Sequence, residues 1–213
     1  LLMMTSRPVL NTPRLYLRAL GPTDIDTVMP LRSDAAAMER MLEGVQDHHA
    51  ALETLKTFDA FWSTQGIGMF GVFTRDEDRF IGEAGIMLRP DGLGLAIRYS
   101  FLPAARGQGY AREAVTEITD FALREDGGLE RIVAVLSDDN KASQDILNFA
   151  TDTLLNDIEK IADGSASAAT LEQYTTQATS YIATSQGGLA SDYAVNIFAV
   201  NDTVSGPKDT NIL

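Results

Sequence analysis

The sequence predicts a mixed α/β fold whose sheet contains a parallel strand pair. Three observations carry that prediction. Three strand-like runs follow one another between Met69 and Pro103, separated by turn residues. The pattern then changes period from two to 3.6 across the glycine-rich stretch RGQGYAREA, Arg106–Ala114. A short apolar run, Arg131–Ser137, comes after the helix so defined. A strand–helix–strand unit of this kind demands a right-handed crossover and a parallel pair.

In RLYLRAL (Arg14–Leu20), Leu15, Leu17 and Ala19 alternate with Arg14, Tyr16 and Arg18, a strand with one wet face. GPTDID follows, with Thr23 or Asp24 as N-cap, and Ile25, Val28, Met29 and Leu31 mark a first helix. From His49 to Thr64, Leu52, Leu55, Phe58 and Phe61 or Trp62 fall at helical spacing, which places these rings in the core. GIG breaks that helix. MFGVFTR (Met69–Arg75) and RFIGEAGIML (Arg79–Leu88) read as a hairpin about DED, and LGLAIRYSFLP (Leu93–Pro103) as the third strand, after RPDG. Ala111, Ala114, Val115, Ile118 and Ala122 recur at i, i+3, i+4, i+7 and i+11, a helix with a narrow apolar stripe that DGGLE ends. DDNKASQDILNF opens a further helix. Residues 1–149 thus read β-α-α-β-β-β-α-β-α.

Composition excludes several chemistries. The 213 residues include no cysteine, so a disulfide framework, a thiolate zinc site and a cysteine nucleophile are out. The two histidines, His48 and His49, are adjacent; side chains about 100° apart on a helix make a poor metal pair, and no metal is expected. No nucleophile elbow exists to serve a Ser-His-Asp triad. The net charge is −13 and no Lys/Arg cluster occurs, which argues against nucleic acid and suits amine-bearing partners. No apolar run reaches membrane-spanning length, and LLMMTSRP is too short for a secretory segment, so the expected location is cytoplasmic.

Three phosphate-binding readings compete for the glycine turn. A P-loop needs Gly-Lys-Ser/Thr, which is missing. A dinucleotide fingerprint needs a third small residue where Arg112 stands. The third reading is Arg-x-x-Gly-x-Ala: Arg106, Gly109 and Ala111 after a strand and at a helix start. The first turn of a helix leaves backbone N–H groups unpaired and carries partial positive charge. Gly107 and Gly109 let a ligand approach closely, and Ala111 keeps the first turn open. Such a turn can cradle a pyrophosphate; it can also simply start a helix.

Four stretches resemble the GCN5-related N-acetyltransferases, and within them the ribosomal-protein-alanine branch. TPRLYLRAL resembles that branch's first strand and RFIGEAGIML its third. YSFLPAARGQGYAREAV resembles the acetyl-CoA motif, the specific one of the four. DDNKAS resembles the Asn-x-x-Ser that opens the following helix. The likeness covers about residues 10–149.

The resemblance implies a GNAT-type acyltransferase fold with a splayed parallel pair, and acetyl-CoA as cosubstrate. Pantetheine would pair with backbone groups of Phe101 and Leu102. The pyrophosphate would sit on the turn of Arg106, Gly107, Gln108, Gly109, Tyr110 and Ala111, with the Tyr110 ring packed beside the cofactor. Asn140 and Ser143 would line the far wall. The reaction implied is direct attack of an amine on the thioester, the acceptor being a protein N-terminus or a small amine. Ser143 would serve the leaving thiolate. The usual glutamate base of the fourth strand is replaced here by Ala96, so Glu83, on an adjacent strand, becomes the candidate base, beside a water relay. Arg98 would meet an acidic group on the substrate or pair with Glu83.

Past Phe149 the character shifts. Residues 150–213 are rich in Ala, Ser and Thr, with Lys160 and Lys208 their basic residues. Ala150-Thr151-Asp152 stand where the family has Leu-Gly-Phe. Asp152–Asp163 and Ala169–Ser185 read as helices, and Tyr193–Val200 as a strand. The expected organisation is a GNAT-like domain over 1–149 and an atypical segment over 150–213. That segment rebuilds the end of the sheet, leaves it to another chain, or marks a fusion. An open edge would take a strand from a second copy, so a homodimer is one expected state. Two other functions stand beside catalysis. One is a non-catalytic acyl-CoA-binding or interaction module without an acceptor site; the other is an assembly role for the tail.

Overall fold

The computed structural model describes residues 6–90, 94–123, 129, 131–137, 140–150, 176–180 and 192–199. The chain divides into two compact units: 1–87 with 98–118, and 88–97 with 119–213.

In the first unit, strands β1 (Val9–Asn11), β2 (Leu15–Ala19), β3 (Met69–Thr74) and β4 (Phe80–Leu88) pair antiparallel in that order. Strand β5 (Leu95–Phe101) lies next to β4. Leu15 and Leu17 are fully buried and Tyr16 half-exposed, as the alternation requires. The hairpin of β3 and β4 shifts register between Val72 and Phe73, a bulge that leaves Ile81 unopposed. Gly85 faces Met69, and a Cβ there would stand 2.2 Å from the Gly68 carbonyl oxygen, so only glycine fits.

Helices α1 (Ile25–Arg32), α2 (Ala35–Met38) and α3 (His48–Gln65) lie between β2 and β3 in the chain. The Asp24 side chain accepts from Gly21 N and pairs with Arg18, so it fixes the turn before α1 and does not cap the helix. α3 is capped by Asp47, whose carboxylate accepts from Ala50 N at 2.8 Å. Ala51, Leu55, Phe58 and Trp62 form its buried stripe. Leu20, Val28, Leu55, Phe58, Met69 and Met87 make one core cluster, with Ile25, Phe61 and Phe80 against it. Trp62 Nε1 donates to Met69 O at 2.8 Å, and its ring meets Phe70 edge-on.

Helix α4 (Tyr110–Leu123) buries Ala114, Val115, Ile118 and Ala122 completely, while Ala111 is half-buried at its start. The stretch expected to end this helix falls largely outside the described residues.

In the second unit, β5 runs parallel to β6 (Arg131–Ser137), with Ala96 opposite Val133. Helix α5 covers 141–150 and buries Leu147 and Ala150. Two strands come from the tail: β7 (Thr176–Ser180) and β8 (Asp192–Ala199). β8 pairs antiparallel with β6, from Arg131 opposite Phe198 to Ser137 opposite Asp192, and β7 pairs with β8. The edge of β6 is therefore covered by this chain's own tail. Thr176–Ser180 was expected inside a helix and is a strand; its Thr and Ser residues suit an edge, where the ladder and not an apolar period sets the conformation. The expected helix over Asp152–Asp163 lies outside the described residues.

Candidate functional site

The glycine turn joins the end of β5 to α4. Pro103–Ala105 form a 3₁₀ turn, after which Gly107 and Gly109 take positive φ of 74° and 81°. Among the described residues, the N–H groups of Gly107, Gln108 and Gly109 meet no backbone acceptor, and those of Tyr110 and Ala111 open the helix. A Cβ added to Gly107 would meet nothing within 4 Å, so the turn stands open on that side. These features fit a bound diphosphate: a row of unpaired donors at the positive end of a fourteen-residue helix.

Arg106 was expected among the cofactor ligands. Its guanidinium instead donates to Phe101 O at 3.2 Å and Ala36 O at 2.8 Å, holding the end of β5 and α2 to the turn. Leu102 donates its N–H to Ile81 O and accepts from Ala105 N, both at 2.9 Å. Strand alternation turns the backbone of Phe101 the other way. Of the two residues expected to pair with pantetheine, Phe101 is thus the one directed away from β4. The Gln108 side chain donates to Ala104 O at 2.9 Å, and the Tyr110 ring lies under Arg14, 4.6 Å from its guanidinium carbon.

Glu83 does not stand free as a base. Its two oxygens accept from Arg32 at 2.6 and 3.2 Å, and neither residue has exposed surface. Arg32 also donates to Gln46 Oε1 at 3.1 Å and lies over the Phe58 ring; Gln46 in turn donates to Thr54. Burial pushes the Glu83 carboxyl up, and the guanidinium pulls it back only in part. Both oxygens of this carboxyl are thus engaged by the Arg32 guanidinium.

Arg98 pairs with Glu43, at 2.5 Å, and not with Glu83. Burial alone would raise the Glu43 carboxyl, but the Arg98 hydrogen bond and charge outweigh it and hold it below the usual carboxylate range. Glu113 behaves alike: hydrogen bonds from Thr12 and Arg14 more than offset its burial. Both groups therefore bind protons less readily folded than unfolded. The stability they contribute is complete above the ordinary pKa near 4.5 and is lost as pH falls through the lowered values. The thermal midpoint of the E43Q/E113Q variant is expected to fall less steeply with acid than that of the parent chain, as read by calorimetry across that range.

In the second unit, Asn140 Oδ1 accepts from Ser143 N at 3.3 Å. Asn140 is thus the N-cap of α5 and Ser143 its third residue, both half-buried. The Asn-x-x-Ser spacing has a structural task as well as the one the resemblance implies. His48 and His49 are exposed in the first turn of α3. Sequence reasoning missed Arg14, Glu113, Arg32 and Glu43. Their ion-pair partners lie from 51 to 99 residues away, beyond any local pattern.

A family model for the GNAT acetyltransferase domain matches residues 14–149. The chain belongs to the GNAT acetyltransferases, enzymes that use acetyl-CoA. Solved structures of similar fold include a GNAT-family acetyltransferase from Bacillus anthracis, 17% identical, with 90% of this chain and 98% of that one covered and a TM-score of 0.62. A ribosomal-protein-S5-alanine acetyltransferase from Vibrio fischeri is 14% identical, with 93% and 100% covered and a TM-score of 0.63. A spermidine N-acetyltransferase from Vibrio cholerae, solved with CoA and spermine, is 13% identical, with 88% and 96% covered and a TM-score of 0.59. These identities carry the fold alone. A search of curated proteins finds no match. No helix among the described residues is long and apolar enough to cross a membrane.

Proposed function

We propose that this chain transfers acetyl from acetyl-CoA to a primary amine, on a protein N-terminus or a small amine, by direct attack. The observation that carries the reading is the open turn at Gly107–Ala111, with its unpaired N–H groups and two positive-φ glycines at the head of α4.

The turn's N–H groups would hold the pyrophosphate, and Phe101 would offer backbone groups to pantetheine. The amine lone pair forms the new C–N bond at the thioester carbonyl, and the C–S bond breaks as the tetrahedral adduct collapses. The departing thiolate would be met by the Ser143 hydroxyl as a hydrogen-bond donor, the role the resemblance assigns to that group, and takes up its proton from water; Asn140 holds the start of the helix that carries Ser143. The proton leaving the amine passes to water, since Glu83 is held by Arg32.

The test is titration of acetyl-CoA into the intact chain, followed by a screen of polyamines and short peptides for acceptor-dependent release of CoA. Saturable binding with release supports the proposal. Binding without release from any acceptor would favour the acyl-CoA-binding module, a reading that the locked Glu83 and Ala96 support. No binding would remove both.

A further inference from the structure

Arg14 makes four contacts to the glycine turn and the helix it opens. Its Nη1 donates to the Gln108 carbonyl at 2.9 Å, and its Nε to Glu113 Oε2 at 2.7 Å. Its backbone N–H donates to Glu113 Oε1 at 2.9 Å, and its guanidinium stacks over the Tyr110 ring. Thr12 adds a hydroxyl to Glu113 Oε1 at 2.5 Å. The link between β1 and β2 is thereby fastened to the turn. Arg14 is nearly half exposed, so packing alone does not hold it there.

Two physical consequences follow. In a trans peptide the C=O of one residue and the N–H of the next point in opposite directions. Drawing the Gln108 carbonyl towards Arg14 turns the Gly109 N–H away from Arg14, to the opposite side of the turn. Glu113, in the first turn of α4, also sets a negative charge close to where an anion would bind, and Arg14 offsets it.

We infer that Arg14 is a positioning residue of the phosphate-binding turn, orienting the Gln108–Gly109 peptide and cancelling the Glu113 charge, and that it thereby sets the affinity for acetyl-CoA. This rests on the reading that the turn binds the pyrophosphate.

The experiment compares the parent chain with R14Q, R14K and R14Q/E113Q. Calorimetry is run with acetyl-CoA and with its analogue lacking the 3′-phosphate, and thermal midpoints confirm folding. R14Q is expected to weaken both ligands by about tenfold or more. R14K recovers little, because a single ammonium cannot replace the planar fork on Glu113 and the Gln108 carbonyl. R14Q/E113Q recovers part of the loss, since the repelling charge is gone. In turnover the change falls on KM for acetyl-CoA and not on kcat. Parent-like binding by folded R14Q overturns the inference while leaving the turn in place. A loss confined to the 3′-phosphorylated ligand also overturns it, by making Arg14 a direct phosphate ligand. Failure of the parent chain to bind overturns the reading beneath it.

Discussion

Replacing Glu83 by alanine is expected to lower the stability of the first unit by about 3–5 kcal/mol, the usual cost of leaving one member of a buried ion pair without its partner. Arg32 and Glu83 have no exposed surface, and both Glu83 oxygens accept from the guanidinium. Removing the carboxylate strands a positive charge among Phe58 and the packed faces of β3 and β4. The double variant R32M/E83L should recover most of the loss, because apolar groups of similar volume replace the pair without the desolvation of two ions. Recovery stays incomplete, since Gln46 Oε1 then loses the donor it has in Arg32. Urea denaturation of the three chains checks this. A Glu83→Ala chain as stable as the parent would mean that the pair does not form.

Gly109→Val is expected to abolish acetyl-CoA binding while the chain stays folded. At φ of 81° a residue with a Cβ is strained by about 1–2 kcal/mol, a cost that a domain of ordinary stability survives. The new Cβ would also stand 3.3 Å from Arg14 Nη2, so it crowds the side chain that anchors the turn. Gly107→Ala is the informative companion. Its methyl would meet no protein atom within 4 Å and would project into the space left open at the turn. Titration calorimetry reads both. Undiminished binding by a folded Gly109→Val chain would place the phosphates elsewhere.

Much of the first unit was legible in the sequence because its elements are periodic. The alternation in Arg14–Leu20 and the stripe of Ala114, Val115, Ile118 and Ala122 correspond to buried faces. The glycine turn was legible because positive φ at two nearby positions leaves a compositional trace. Which groups in the turn are already engaged was not. Arg106 reads like a phosphate ligand by type and position, yet carbonyls on α2 and β5 take two of its five donors. Glu83 reads like a base on a strand, yet Arg32 answers it from a helix 51 residues earlier. Of the two strands in the tail, β8 was legible in the alternation of Tyr193–Val200, and β7 escaped for another reason. The β7 segment lacks an apolar alternation, and its conformation comes from the ladder with β8.

Trp62 is the chain's single tryptophan, buried against Phe70 with its indole N–H on the Met69 carbonyl. Intrinsic fluorescence excited at the red edge of protein absorption therefore comes from one place, the contact of α3 with β3. A shift in its emission reports the opening of the first unit. The strands that the tail adds to β6 are silent by that signal, so agreement between emission and far-ultraviolet dichroism during unfolding would show the two units melting together, and a lag would separate them.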